Sequence, residues 1–208
     1  MESDKFEAEH LKLYGGHPKI RSLNLPGEEA VRHISRWEWM KYFDDRGYFL
    51  QVLPESSGRK WAQVNFSSSS AGVFRGLHCQ LPPYDQEKAV VCLRGRIIDF
   101  AVNLDESGKD FGDIHISVLE GQSSDGLLLP GSYLHGFLAS EDSQILYLTS
   151  KPYEPQSEIV VDARYLVEQA KLGLETYGAL IRSDRDSNGI SFYTAAREFS
   201  RALKKGGD

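Results

Sequence analysis

Gly72-Val73-Phe74-Arg75-Gly76-Leu77-His78-Cys79-Gln80 sets a guanidinium, a glycine and an imidazole within four residues of one short β-type run. On both sides of it, from residue 61 to residue 159, the chain is a succession of such runs: 61–66, 73–79, 88–93, 96–104, 114–119, 127–129, 133–138 and 144–148. Pro82-Pro83, Gly95, Glu106-Ser107-Gly108 and Pro130-Gly131 break them apart. Strands this closely spaced, without helices between them, pack as a sandwich or barrel and not as an alternating α/β sheet. The reading is mainly β, with a double-sheet jelly roll as the architecture.

Outside that region the pattern changes. Residues 1–33 read as an N-terminal arm, in which Ser3 is placed to cap a short helix carrying Phe6, Leu11 and Leu13, stopped at Gly15-Gly16. The aromatic cluster Trp37, Trp39 and Tyr42 precedes a turn signal, Asp44-Asp45-Arg46-Gly47, and residues 48–53 then read as a strand. The jelly-roll domain spans residues 34–162. From residue 163 to residue 208 a helical extension follows, with helices expected over 165–181 and 191–203 and an interruption at Ser183-Asp184-Arg185-Asp186-Ser187-Asn188-Gly189. Leu166, Ala170, Leu174, Tyr177 and Ile181, then Phe192, Ala195, Ala196, Phe199 and Leu203, form apolar stripes, so the extension is expected to pack and not to carry chemistry. Ser191 suits the cap of the second helix, and Lys204-Lys205-Gly206 its end.

A chain of 208 residues can bury one full core. Its net charge of −6 argues against a general nucleic-acid binder, which needs a basic face for phosphates. It leaves room for a small anionic ligand held by a few cations. The apolar runs are too short to span a bilayer and Met1-Glu2-Ser3-Asp4-Lys5 lacks the features of a secretory signal, so no membrane association and a cytoplasmic location are expected. Cys79 and Cys92 have no ligand spacing and are expected to be reduced core thiols.

A jelly roll with histidines invites a metal reading, since many cupin barrels use a His-x-His pair, a later Glu and a further His. Here the residue two after His78 is Gln80, and His135, after Pro130-Gly131, adds only a second imidazole. Two histidines without an evident carboxylate make a poor ligand set, so no metal and no cofactor are expected.

A broader set of residues carries a specific likeness. Gln63-Val64-Asn65-Phe66-Ser67, the run from Gly72 to Gln80, Pro82-Pro83, Gln86-Glu87-Lys88, Gly95-Arg96-Ile97-Ile98-Asp99, Phe111-Gly112, Pro130-Gly131, His135-Gly136-Phe137, Tyr147, and Tyr153-Glu154-Pro155 with Glu158 follow one another in an order and spacing that resembles the dTDP-4-dehydrorhamnose 3,5-epimerase family over roughly residues 45–160. Arg46-Gly47-Tyr48-Phe49 resembles that family's Arg-Gly element. The resemblance implies a metal-free cupin, usually a homodimer, that epimerises carbons beside the ketone of a nucleotide-diphosphate-linked 4-keto-6-deoxyhexose; the alternatives are a barrel that binds the nucleotide sugar without catalysis and a related 3,4-ketoisomerase.

The side chains suit that chemistry. A C–H beside a ketone is a weak acid, so epimerisation needs a base on one face, an acid on the other, and a group that holds the enolate oxygen. The resemblance assigns His78 as base, Tyr147 as the acid opposite, and Lys88 beside the keto oxygen. Asp162 is the nearest carboxylate to the family's partner of that His, though it arrives about three residues early and lacks the flanking Trp. Arg75 and Arg46 are candidates for the pyrophosphate, since guanidinium geometry allows two-point contact. Gln63 and Asn65 share one strand face and can reach sugar or phosphate oxygens. Gln80, His135, Tyr153 and Glu158 complete the expected pocket. Gln51 stands where the family resemblance implies a carboxylate, which alters the expected nucleobase contact.

Overall fold

A computed structural model describes residues 34–51, 59–166 and 180–205. Among these, β1 (Ser35–Glu38), β2 (Met40–Asp44) and β3 (Gly47–Gln51) lead into the barrel strands β4 (Gln63–Ser69), β5 (Phe74–Gln80), β6 (Lys88–Arg94) and β7 (Arg96–Asn103). Then come β8 (Ile114–Glu120), β9 (Asp125–Leu129), β10 (Tyr133–Ala139), β11 (Ser143–Thr149) and β12 (Glu158–Val160). Two helices come last, α1 (Asp184–Ser187) and α2 (Phe192–Lys205). The N-terminal arm and most of the helix expected over 165–181 lie outside the described residues, and Ile181, expected at the end of that helix, is instead bridged to Val73 as strand-like backbone.

The strands form two antiparallel five-stranded sheets, ordered β1-β9-β6-β11-β4 and β12-β5-β10-β7-β8, while β2 and β3 pair as a separate hairpin. This is the jelly roll expected from the spacing. The inner strands alternate between two buried layers, which is why β6, β7 and β10 read as nearly continuous apolar runs. Val90, Cys92, Ile97, Ala101, Leu127, Phe137 and Ile145 meet between the sheets. Phe74, Leu77, Cys79, Phe100 and Leu134 face the opposite way, onto Phe192, Ala195, Ala196 and Phe199 of α2. A third cluster, Ala89, Val91 and Leu148 with Trp39, Leu50 and Trp61, covers the outside of the first sheet. The two Cys thiols are buried and unpaired, and burial pushes them up to about 12 for Cys79 and about 11 for Cys92.

The aromatic stretch before residue 45, not read as strand in the sequence, pairs in β1 with β9 and in β2 with β3. The short β12 also escaped that reading; it adds to the edge of β5, with Val160 opposite His78. Val161 and Ile181 extend the same edge, Val161 exchanging backbone hydrogen bonds with Leu77, and Ile181 bonding to Gly72 and Phe74. The segment carrying α1 thus returns to β5 beside the gap between them. Burial of Phe192 and Phe199, worth about 1.5–3 kcal/mol each, fastens the chain beyond α1 to the sheet.

Candidate active site

Leu77 and Cys79 turn outward to α2, so alternation turns His78 and Gln80 into the barrel. His78 stands directly across from His135 of β10, on the same sheet face. The His135 ring is buried and its Nε2 donates to Asp99 Oδ2 at 2.7 Å. It meets Tyr147 edge-on, with centroids 6.4 Å apart and planes at 72°. Tyr147 belongs to β11 of the other sheet. His78 and Tyr147 therefore address one interior from opposite sheets, with His135 between them. The Tyr147 hydroxyl is 3.0 Å from Ser67 Oγ, and burial pushes its pKa up, so the phenol stays protonated. Lys88, at the start of β6, donates from Nζ to the His78 carbonyl at 3.4 Å. Lys88 is half-buried as a residue, and desolvation of its ammonium lowers its pKa by penalising the charge.

The carboxylate at His78 is Asp186, not Asp162. Asp186 Oδ1 lies 2.6 Å from His78 Nε2. Ser183 caps α1 by accepting the Asp186 backbone N–H at 3.1 Å, which fixes where the carboxylate points. Burial works against ionisation of Asp186, but bonds from His78, Ser183 and the Gly76 backbone N–H outweigh it and lower its pKa. Asp162 instead accepts from the Arg164 backbone N–H at 2.8 Å and Arg164 Nε at 2.7 Å. Arg182 lies 3.9 Å from its other side. Its carboxylate is taken by Arg164, two residues further along the chain, and does not reach His78. The expectation that the C-terminal extension only packs is corrected with it.

Around the mouth of the barrel several expected residues gather. Gln63 Nε2 donates to Asn65 Oδ1 at 2.7 Å, and Gln63 Oε1 accepts the Tyr153 N–H at 2.9 Å. Gln80 Oε1 accepts the Glu154 N–H at 2.8 Å, while among the described residues its buried Nε2 has no hydrogen-bond partner. Arg75 is exposed, its Nε donating to Ser69 Oγ at 3.0 Å. Glu158, across from Gln80, is bonded by Tyr153 Oη at 2.8 Å and paired with Arg185, and its Oε1 lies 3.8 Å from His78 Nδ1.

Arg46 and Gln51 are not brought to His78 within the chain. They lie on the β2–β3 hairpin, where Leu50 packs on the outer cluster, Tyr48 Oη donates to Leu93 O at 3.0 Å, and the Arg46 guanidinium pairs with Asp44. The sequence reading also missed Arg185 and Ser67. The Ser-x-x-Asp spacing of Ser183 and Asp186 was a visible helix-start signal; nothing local marks its carboxylate as the partner of a residue in β5. Among the described residues no three of His, Cys, Asp and Glu converge as a metal-holding group.

The model of the dTDP-4-dehydrorhamnose 3,5-epimerase family matches residues 29–193, which takes in His78, Tyr147 and Asp186. This chain belongs to that family. The family match runs well past both ends of the segment whose motifs carried the resemblance. The dTDP-4-dehydrorhamnose 3,5-epimerase of Mycobacterium tuberculosis strain H37Rv is 36% identical over 183 residues, covering 84% of this chain and 87% of that one. The solved structure of the Mycobacterium tuberculosis epimerase superposes with a TM-score of 0.73 at 29% identity, over 90% of this chain and 98% of that one. The Legionella pneumophila enzyme, solved with dTDP-4-keto-L-rhamnose, gives a TM-score of 0.70 at 26% identity, over 77% and 88% of the two chains. The protein is thus an isomerase, an epimerase of a nucleotide-linked 4-keto-6-deoxyhexose in deoxysugar biosynthesis.

Proposed function

We propose that this epimerase works by proton removal at His78 and proton return from Tyr147 on the opposite face of the sugar. The observation that carries the reading is the placement of the two rings on facing sheets, each beside His135. His78 takes the proton from a carbon next to the ketone, and the C–H electron pair moves into the carbonyl to leave an enolate. Asp186 holds the ring by Nε2 and stabilises the imidazolium that forms, while Lys88 supplies positive charge for the enolate oxygen. Tyr147 then gives its phenolic proton to the other face, inverting the centre; solvent restores both groups.

Arg75 is assigned to the pyrophosphate, and Gln63, Asn65, His135 and the free Nε2 of Gln80 to sugar or phosphate oxygens. Tyr153, 42% exposed, is assigned to the nucleotide end, where its ring can stack, and Glu158 to the polar contacts that join Tyr153 and Arg185 beside His78. The nucleotide is a diphosphate, dTDP being the first to test because of the relatives. We also assign a homodimer in the cytoplasm. Val64 and Phe66 lie on the outer face of edge strand β4, and Tyr42 and Phe49 on the hairpin; all four are more than half exposed. Such a surface calls for a cover. Arg46 and Gln51, remote from their own His78, reach a substrate only through such a neighbour.

Proton NMR of dTDP-4-keto-6-deoxyglucose with the enzyme in heavy water tests the reading. Loss of the C3 and C5 proton signals, abolished in His78→Ala, is the expected result. Exchange that persists in His78→Ala would overturn the assignment of the base, and binding without exchange would leave only a nucleotide-sugar-binding barrel.

A further inference from the structure

Consecutive residues of α1 govern both ring nitrogens of His78. Asp186 sits 2.6 Å from Nε2, and Arg185 pairs with Glu158, whose Oε1 is 3.8 Å from Nδ1. With Nε2 committed to Asp186, only Nδ1 is left to accept a substrate proton, and that is the nitrogen which faces Glu158. Glu158 is held by its other oxygen: Arg185 Nη2 pairs with Oε2, Tyr153 Oη donates to Oε2 at 2.8 Å, and Arg185 Nη1 donates to Tyr153 Oη at 3.2 Å. A Glu158 released from this clamp needs to advance by only about 1 Å to hydrogen-bond Nδ1–H. The ring would then donate at both nitrogens to two carboxylates, a state in which it is no base.

We propose that Arg185 is a positioning residue that keeps His78 Nδ1 available to the substrate by holding Glu158 off it. This inference rests on the reading of His78 as the base. The other charged and titratable groups around His78 are engaged elsewhere. Lys88 approaches the main-chain carbonyl, His135 is committed to Asp99, and Arg75 donates to Ser69 and Ser68. Tyr147, on the facing sheet, is 3.0 Å from Ser67 Oγ. Glu158 is the carboxylate whose position decides the state of Nδ1, and the Arg185 contact decides the position of Glu158.

The test combines nitrogen NMR of histidine-labelled enzyme with the pH profile of kcat/KM, on wild type, Arg185→Ala, Arg185→Lys and the double variant Arg185→Ala/Glu158→Gln. At neutral pH the wild-type Nδ1 resonance is expected in the unprotonated range. In Arg185→Ala both ring nitrogens should fall in the protonated range and kcat/KM should drop about tenfold, recovering as the pH is raised. Arg185→Lys should retain most of the wild-type behaviour, and the double variant should return Nδ1 to the unprotonated range. An unprotonated Nδ1 in Arg185→Ala, or no reversal in the double variant, would overturn the proposal. So would a loss of kcat/KM equal at every pH, the mark of a merely structural Arg. Should Nδ1 respond as expected while the pH profile stays unmoved, the clamp stands and the assignment of His78 as base fails.

Discussion

His78 Nε2 and Asp186 Oδ1 are 2.6 Å apart although 108 positions separate them in the chain. The contact joins strand β5 to α1, so the catalytic base of the proposed mechanism is complete only when the C-terminal segment has returned to the barrel. Its geometry rests on two local supports, the Ser183 cap that orients Asp186 and the burial of α2 just beyond it. A carboxylate in this place selects the ring tautomer and balances the charge that develops on proton transfer.

Asp186→Asn is expected to lower kcat/KM by about a hundredfold or more, the amount an oriented general base contributes. Asp162→Asn, which loses only the Arg164 and Arg182 contacts, should stay within about threefold of wild type. Steady-state rates and deuterium uptake by the substrate measure both, and equal losses in the two variants would contradict the placement of Asp186.

The lowered pKa of Asp186 also has a signature in stability. A carboxyl group depressed in the folded state adds stability above its unfolded value, about 3.9 for Asp, and loses it as the pH falls through the folded value. Thermal melts should therefore show wild type above Asp186→Asn by a constant margin at neutral pH, with the gap narrowing below about pH 4.

Tyr147→Phe separates the two halves of the reaction. His78 can still remove and return a proton on its own face, so deuterium should enter the substrate without inversion, while net epimerisation falls by about a hundredfold. Because burial pushes the phenol up, wild-type activity should show no alkaline loss from Tyr147 below about pH 10.

Lys88 pits function against stability. Desolvation lowers its pKa, so its protonated form costs folding energy that is relieved as the pH rises through the folded value toward the unfolded one. Lys88→Met is expected to lower kcat by roughly two orders of magnitude through loss of enolate stabilisation. The same variant should melt above wild type at neutral pH, because a desolvated charge is gone.

Phe66→Asp places a charge on the outer face of edge strand β4, where Phe66 is 57% exposed. Light scattering should give wild type about twice the 23.4 kDa of the chain and the variant a single chain. A variant that keeps the wild-type mass would move the dimer contact away from β4.

Much of this was legible along the chain. The jelly roll followed from short apolar runs punctuated by Gly, Pro and Ser, and β5 to β11 lie within a few residues of where those runs placed them. The strands that escaped notice, β1, β2 and β12, are short or aromatic, and their identity comes from the neighbours they pair with, β9, β3 and β5. His78, Tyr147 and Lys88 stood out because their order and spacing follow a family pattern, and strand alternation alone suffices to bring two of them to an interior face.

Local period, readable along the chain, settles which runs are strands, which side chains of one strand share a face, and which chemical groups are available. Pairings over long separations came only with the folded path. Asp162 was the nearer carboxylate in sequence, yet Arg164, two residues away, captured it, while Asp186 reached His78 because the chain after Ile181 runs back along the open edge of β5. Arg185 likewise takes its meaning from Glu158 on another element. Hydrogen bonds and ion pairs act over a few ångströms, and which groups come that close is set by the path of the chain through space, not by their distance along it.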